Sequence, residues 1–166
     1  MHESSMETMR NFVNDYGLTH GQTIVDIGSL DINGNYKSLF ETGDSKYIGV
    51  DIVDGPNVDV LIGSSAWEDL KNVDAVISGQ TLEHVEDIPL LMSQIMDILK
   101  PGGLLCIIAP STAPPHDYPI WVGNFSVERM TSIVKNAGFE IILCVINPAS
   151  EVGDCCCIAR KPNGNN

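Results

Sequence analysis

The stretch that decides the fold is VDIGSLDINGNY, residues Val25–Tyr36. With Thr23 and Ile24 before it, the chain forms a short apolar and β-branched run that stops at Gly28, which is typical of a buried strand. A polar loop follows at once. In open α/β sheets, ligands bind beyond the carboxyl ends of the strands, so this loop is the first place to look for a binding site.

Six further stretches have the same apolar, β-branched character. They are KYIGVDI, VDVLI, DAVISG, GLLCIIAP, FEIILCVIN and CCCIARK, in that order. Non-alternating strands of this kind are typical of a sheet that is buried on both faces. The connection between the last two, PASEVGD, is short enough for an antiparallel hairpin.

Helices are predicted between most of these strands. A capping box at Ser4–Glu7 starts the first helix, and YKSLFETG predicts a short helix that Gly43 closes. The clearest helix covers Asp87–Lys100, with Asp87 as N-cap and the glycines after Pro101 as its stop. A last helix begins at the cap residue Ser126.

This order of elements predicts the α/β fold class. We expect a Rossmann-like, doubly wound, mostly parallel seven-stranded sheet with a C-terminal antiparallel hairpin. The sequence contains no internal repeat and no low-complexity segment, so residues 1–166 are expected to form a single domain.

The composition limits the partners. The formal net charge is −13, with nine Lys and Arg residues, whereas proteins that bind nucleic acid or anionic membranes carry basic clusters. We therefore expect no nucleic acid and no membrane partner. The N-terminus, MHESSMETMR, lacks the apolar core of a signal peptide, which predicts cytoplasmic localisation. The five cysteines include no CxxC pair and are expected to be free thiols.

Asp26 discriminates between the ligands that the first loop can take. A carboxylate at the end of the first strand repels a pyrophosphate and attracts an ammonium group. The sequence also lacks the G-x-G-x-x-G and G-x-x-x-x-G-K motifs of phosphate-binding loops. Asp51 ends the second strand about 25 residues later, near the position of an acidic residue that binds a ribose. S-adenosylmethionine has both an amino-acid head and an adenosine, so it fits this pair.

The chain resembles a class I S-adenosylmethionine-dependent methyltransferase of the small methyltransferase-domain type. The segments that carry the resemblance are VDIGSLDINGNY, YIGVDI, VDAVISGQTLEHVEDI and LKPGGLLCIIAP, in the family's order. The closing hairpin matches the family's last two strands. The family's D-x-G-x-G-x-G is here D-I-G-S-L-D-I-N-G, which leaves open which of Ser29, Asn33 and Gly34 touches the ligand.

The resemblance implies a set of cofactor contacts. Asp26, Gly28 and the nearby backbone would hold the methionine part, and Asp51, with Ile52 beside it, the ribose side. The residues implied near the adenine are Ser64, Ser65 and Ala66, and those near the methyl group are Ser78, Gly79 and Gln80.

Two histidines are candidate bases at the acceptor end. A weak nucleophile such as a hydroxyl needs a base, and histidine titrates near neutral pH. His84 follows the fourth strand, whereas His116 lies in the long loop Ser111–Phe125 after the fifth strand. We predict that His116 assists deprotonation, with His84 as its rival. No metal site is predicted.

The leading interpretation is a methyltransferase that acts on O, N or C of a small-molecule or saccharide-like acceptor. A homodimer is left open. The alternative is a non-catalytic S-adenosylmethionine-binding module that regulates or scaffolds a partner. Asp26 and Asp51 favour cofactor binding in both cases, so only methyl turnover separates the two. A dinucleotide or nucleotide-sugar enzyme is disfavoured by Asp26.

Overall fold

The structure is a computed structural model that describes residues 3–115 and 120–164. Within these residues, seven strands form one sheet in the order β3-β2-β1-β4-β5-β7-β6. The strands are β1 (Thr23–Ile27), β2 (Lys46–Asp51), β3 (Val60–Leu61), β4 (Val73–Gly79), β5 (Leu99–Ala109), β6 (Glu140–Ile146) and β7 (Cys155–Arg160). The helices are α1 (Glu3–Asp15), α2 (Ser65–Glu68), α3 (Ile88–Ile98) and α4 (Val127–Asn136).

The sheet is mostly parallel, as the sequence predicts. Neighbouring strands among β1 to β5 pair in parallel, and β7 pairs antiparallel with both β5 and β6. The carboxyl ends of β1, β2 and β4 therefore lie along one edge. Because β7 runs the opposite way, its first residues lie at that same edge, beside the end of β5.

Helices cover both faces of the sheet. On one face, Met9 and Phe12 of α1 pack with Tyr36 and Phe40. On the other face, α2, α3 and α4 contribute Trp67, Met92 and Met130, among others. The central strand β5 alternates between the two clusters, since Leu105 belongs to one and Cys106 to the other. Burial on both faces explains why this strand is apolar throughout.

Two predicted helix caps are confirmed. Asp87 accepts a hydrogen bond from the Leu90 backbone at 2.9 Å, and Ser126 accepts one from the Arg129 backbone at 3.2 Å. The capping box at Ser4 is wrong, because α1 begins at Glu3. The Ser4 hydroxyl instead donates to Asp154 at 3.0 Å, so a tertiary partner has taken the place of the cap.

The short helix predicted up to Gly43 is partly confirmed, because a 3-10 turn forms at Lys37–Leu39 but does not extend to Gly43. Further along, the backbone N–H groups of Asp44 and Ser45 donate to the Thr19 carbonyl at 3.0 and 3.3 Å. Gly43 packs so closely that a Cβ there would lie 1.6 Å from the same carbonyl. These tertiary bonds hold the chain after Gly43 against Thr19.

The predicted end of α3 is partly correct. The helix ends at Ile98, but β5 already begins at Leu99, before the two glycines. Leu99 pairs with Val73 and Leu104 with Ala75, so the intervening residues form an irregularity inside the strand. Gly102, with φ +76°, donates its N–H to the Lys161 carbonyl at 3.0 Å within this irregularity.

Two expectations that came from the composition concern the cysteines and the membrane. All five cysteines are free thiols. Among the described helices, none is long and apolar enough to cross a membrane.

Candidate functional site

The loop after β1 is fastened to the end of β2. The N–H groups of Gly28 and Ser29 donate to the Val50 carbonyl at 2.9 and 3.1 Å. The Ser29 hydroxyl donates to the Asn57 carbonyl at 3.0 Å, and the Asn57 amide donates back to the Ser29 carbonyl at 2.9 Å. Every polar group of Ser29 is thus engaged within the protein. Ser29 supports the loop, and its contact with a ligand stays a prediction.

The tip of the same loop is a turn closed by Asp31. The Gly34 N–H donates to the Asp31 carboxylate at 2.7 Å, and the Asn35 amide donates to its other oxygen at 2.6 Å. These two bonds lower the pKa of Asp31. Gly34 is exposed at this turn with φ +112°. Its predicted contact with the cofactor stays a prediction.

Asp51 ends β2 and faces an apolar surface. Its carboxylate accepts backbone hydrogen bonds from Leu30 at 3.1 Å, Ile52 at 2.7 Å and Val53 at 3.2 Å. A carboxylate has about four acceptor positions, so it retains room for a ligand hydroxyl. Ile52 and Val53 are 66% and 54% exposed. A ribose and a flat apolar ring would therefore find partners side by side here.

Asp26 is buried beneath the loop instead of lining an open surface. It is 2% exposed and accepts a hydrogen bond from the Tyr47 hydroxyl at 2.5 Å. Burial raises the pKa of Asp26 to about 7, against the lowering effect of the Tyr47 bond, and the charge of Asp51 raises it further. Tyr47 thus already donates to the carboxylate that was predicted to attract a ligand ammonium. Direct contact between Asp26 and the cofactor stays a prediction.

The end of β4 packs closely against its neighbours. The buried Ser78 hydroxyl donates to the Ile27 carbonyl at 2.9 Å, which joins β4 to β1. A Cβ on Gly79 would lie 2.0 Å from the Tyr36 hydroxyl, and one on Gly28 would lie 2.0 Å from Oγ1 of Thr81. These two positions therefore need glycine. Ser78 has a structural partner, so its predicted place near a methyl group is untested.

Gln80 follows β4, where the chain turns towards the side of the sheet edge that holds β5 and β7. Its backbone has φ +56°, which is uncommon outside glycine. Its side-chain amide donates to Asp154 at 2.7 Å, and Ser4 donates to the other oxygen of Asp154 at 3.0 Å. Asp154 is completely buried. Gln80 therefore connects β4, the start of β7 and the first turn of α1.

Glu83 and His84 lie in the 3-10 turn that follows, Leu82–His84. Glu83 is 2% exposed, and its Oε2 has no hydrogen-bond partner among the described residues. Nδ1 of His84 lies 2.5 Å from the Ile120 carbonyl. Since a carbonyl only accepts, the Nδ1–H group of His84 is the donor of this bond. His84 Nε2 lies 3.9 Å from Glu83 Oε1.

The region predicted for the adenine borders a cavity of about 270 Å³. Ser64 and Ala66 line this cavity together with residues 58–61 and Asp54. Ser64 is also the N-cap of α2, since it accepts from the Trp67 N–H at 3.3 Å, and it donates to the Leu61 carbonyl at 2.6 Å. The neighbouring Ser65 is exposed. An adenine contact by these residues stays a prediction.

His116 lies outside the described residues, as does Asp117. The structure therefore leaves the choice between the two candidate bases to experiment. The described flanks of the loop reach the site, because the Val122 N–H donates to the Glu83 carbonyl at 2.8 Å and the Phe125 N–H to the Pro110 carbonyl at 2.9 Å.

A family model described as a methyltransferase domain matches residues 7–143. The chain therefore belongs to the methyltransferase domain family, and the resemblance seen in its sequence is confirmed.

Two relatives and one solved structure illustrate the range of the family. The chain is 29% identical over 94 residues to a probable S-adenosylmethionine-dependent methyltransferase of Mycolicibacterium smegmatis, with 52% of this chain and 37% of the relative covered. It is 24% identical over 162 residues to phosphoethanolamine N-methyltransferase 3 of Arabidopsis thaliana, with 83% and 33% covered. The chain thus spans about a third of the length of these relatives.

The solved structure is 1,6-didemethyltoxoflavin-N1-methyltransferase of Burkholderia thailandensis. It matches with a TM-score of 0.73 at 17% identity, and the match covers 97% of this chain and 80% of that protein. This likeness confirms the predicted Rossmann-like methyltransferase fold.

Sequence reasoning missed three residues that build the site: Tyr36, Tyr47 and Asp154. Nothing in the local pattern marked the two tyrosines themselves, and only the folded chain brings Tyr36 to Gly79 and Tyr47 to Asp26. Asp154 had a usable signal. It directly precedes a strand that was expected to be antiparallel, which places it at the edge where the parallel strands end.

Proposed function

We propose that the chain binds S-adenosylmethionine at the ends of β1, β2 and β4 and transfers its methyl group to an acceptor held over β4, β5 and β7. The observation that carries this proposal is Asp51. Its carboxylate is fixed by the N–H groups of Leu30 and Ile52 and lies beside the exposed side chain of Ile52. Family membership supplies the reaction class.

The residues present fit this cofactor. Asp51 has acceptor capacity left for a ribose hydroxyl, and Ile52 and Val53 offer apolar surface to an adenine. Asp26 and Asp51 together make the edge negative, which favours a cationic ligand over a pyrophosphate. When bound, S-adenosylmethionine supplies an electrophilic methyl group that needs only alignment with a nucleophile. The chain's main contribution is then orientation and exclusion of water.

For a weakly nucleophilic acceptor such as a hydroxyl, His84 is the candidate base that lies within the described residues. Its Nδ1–H donates to the Ile120 carbonyl, so a proton taken up by the ring would go to Nε2. His116 remains the other proposed base. His84→Ala and His116→Ala, each tested at saturating cofactor, assign the role: the true base lowers turnover by about 10²-fold. S-adenosylhomocysteine affinity should stay within about threefold of wild type in both variants, because neither base is expected to bind the cofactor.

The acceptor is proposed to be a small molecule. The named relatives include methyltransferases for phosphoethanolamine and for a toxoflavin precursor. Both names specify methylation at nitrogen.

The test has two stages. Calorimetric titration should give micromolar affinity for S-adenosylmethionine or S-adenosylhomocysteine, about −8 kcal/mol, with far weaker binding of NAD and ATP. Transfer of a labelled methyl group into a set of small-molecule acceptors should follow. Equal or tighter binding of NAD overturns the cofactor assignment. Cofactor binding without any methyl turnover favours the alternative, a non-catalytic binding module.

A further inference from the structure

The edge at which β4 ends contains a cluster of buried acids, Glu83 and Asp154, with Gln80 between β4 and the turn that holds Glu83. Gln80 follows β4, Glu83 lies in the next turn, and Asp154 precedes β7. Cys155 pairs with Ala109 at the end of β5, so Asp154 lies where the parallel strands finish. This acidic cluster therefore adjoins the end of β4, across from the proposed cofactor residue Asp51 on β2.

Glu83 is a buried carboxylate of this cluster with one unpartnered oxygen. It is 2% exposed, and its Oε2 makes no hydrogen bond with any described residue. Burial raises the pKa of Glu83 to about 7, and the charge of Asp154 raises it further, against a bond from its own backbone that lowers it. An acid buried in this way is costly unless a positive partner or a proton compensates it.

Asp154 adds negative charge without a cation to neutralise it. It is completely buried, and its described donors, Ser4 and Gln80, are neutral. Among the ion pairs of residues 3–115 and 120–164, no Lys or Arg pairs with Glu83 or Asp154; Glu83 only approaches His84, at 3.9 Å. Two buried carboxylates thus share one interior without a permanent counter-ion.

This charge pattern discriminates between classes of acceptor. A hydroxyl acceptor must develop negative charge as it loses its proton, which the two carboxylates oppose. A carboxylate acceptor would be repelled at once. An ammonium group is attracted, and it supplies the missing cation.

We infer that the acceptor is a basic amine, whose ammonium group binds at Glu83 and gives its proton to that carboxylate. The inference rests on the proposed methyl transfer. One N–H bond breaks and the proton passes to Glu83, leaving a lone pair on nitrogen. That pair forms the new N–C bond while the electrons of the C–S bond return to sulfur, which becomes a neutral thioether. The methylated amine leaves with the positive charge that the sulfonium carried.

The experiment removes only the charge of Glu83. Wild type, Glu83→Gln and the control Glu86→Gln are saturated with S-adenosylhomocysteine and titrated with phenethylamine and ethanolamine. Phenethyl alcohol and ethylene glycol are the neutral counterparts. Glu86 is an exposed acid three residues further on, which makes it a matched control. Labelled methyl transfer to the same compounds gives kcat/KM.

The wild type should bind the amines at least tenfold more tightly than the alcohols, a difference of about 1.4 kcal/mol. Glu83→Gln should abolish this preference and lower kcat/KM for amines about 10²-fold, whereas Glu86→Gln should match wild type. Glu83→Asp keeps the charge on a shorter stem and should retain part of the preference. Thermal melting of each variant shows that the fold persists.

The outcomes distinguish a failure of this inference from a failure of the proposed function on which it rests. If S-adenosylhomocysteine fails to bind wild type, the proposed function fails. If it binds but the amines bind no better than the alcohols, only the inference is overturned. The inference is also overturned if the Glu83→Gln variant methylates amines at the wild-type rate.

Discussion

The Asp51 carboxylate joins the ends of β1 and β2 through backbone bonds to Leu30 and Ile52. We predict that Asp51→Asn weakens binding of S-adenosylhomocysteine at least tenfold, because a charged acceptor contributes about 1.5–3 kcal/mol per hydrogen bond. Calorimetry measures the effect. The exposed Asp69 provides the control, and Asp69→Asn should bind as wild type does. Unchanged affinity in Asp51→Asn would show that the ribose is held elsewhere.

Asp26 should make stability depend on pH. Burial raises the pKa of Asp26 from 3.8 to about 7, so between these values the unfolded chain loses the proton before the folded one does. The favourable contribution of protonated Asp26 to the stability of the folded chain is complete below pH ~4 and is lost as the pH rises through 7. The asparagine in Asp26→Asn cannot ionise. The variant should therefore be more stable than wild type at pH 8, by up to ~4 kcal/mol, with no such gain at pH 4.

Urea unfolding at the two pH values measures this difference. The exposed Asp15 offers a comparison, since Asp15→Asn should follow wild type at both. A gain in Asp26→Asn that is the same at pH 4 and pH 8 would show that burial of the carboxylate is not its origin.

Among the connecting elements, the loop after β1 depends on close packing at Gly28. Gly28 has φ +79°, and a Cβ there would lie 2.0 Å from Thr81 Oγ1. Gly21 has a similar φ of +71° with nothing within 4 Å. Both Ala substitutions cost roughly 1 kcal/mol in backbone strain, but only Gly28→Ala also collides with Thr81, which follows β4. We predict that Gly28→Ala loses cofactor affinity more than tenfold, whereas Gly21→Ala keeps it.

Affinity and melting temperature of the two variants separate packing from strain. Equal effects of the two substitutions would mean that the contact with Thr81 is unimportant.

The elements themselves were largely predictable, because apolar runs and caps are local signals. Asp87 and Ser126 show this, since each caps a helix where the sequence places it. The failures have tertiary causes. Ser4 donates to Asp154 instead of capping α1, and the chain directly after Gly43 bonds to Thr19. Partners so distant in sequence leave no trace in local spacing.

The sequence predicted which edge of the sheet holds the candidate site, but not which side chains are in contact there. The positions of Asp26 and Asp51 at strand ends follow from the pattern of strands, and the structure places both there. Two contacts depend on packing between separate elements: Tyr47 donates to Asp26, and Oε2 of Glu83 finds no hydrogen-bond partner among the described residues. The sequence provides the chemical groups, and the fold decides which of them meet.

At the scale of the whole molecule, the reactivity of the cysteine thiols shows whether the hairpin of β6 and β7 is intact. Cys106, Cys155, Cys156 and Cys157 are at most 3% exposed, and Cys144 is only partly buried. We predict that a thiol reagent modifies one cysteine rapidly in the native protein and all five after denaturation. Cys144→Ser should remove the fast phase alone. Fewer than five thiols in the denatured, unoxidised protein would show a disulfide.

The bond from Ser4 to Asp154 spans 150 residues, and this has a consequence for biosynthesis. The first helix also packs in the cluster that includes Cys156 and Ile158 of β7. As the chain emerges from the ribosome, Met9 and Phe12 must wait for one of the last strands before their surface is fully covered. Long-range contacts of this kind slow folding and leave apolar surface open to chaperones. The side of the sheet that β7 completes thus forms after β1, β2 and β4, at whose ends the cofactor is proposed to bind, have been synthesised.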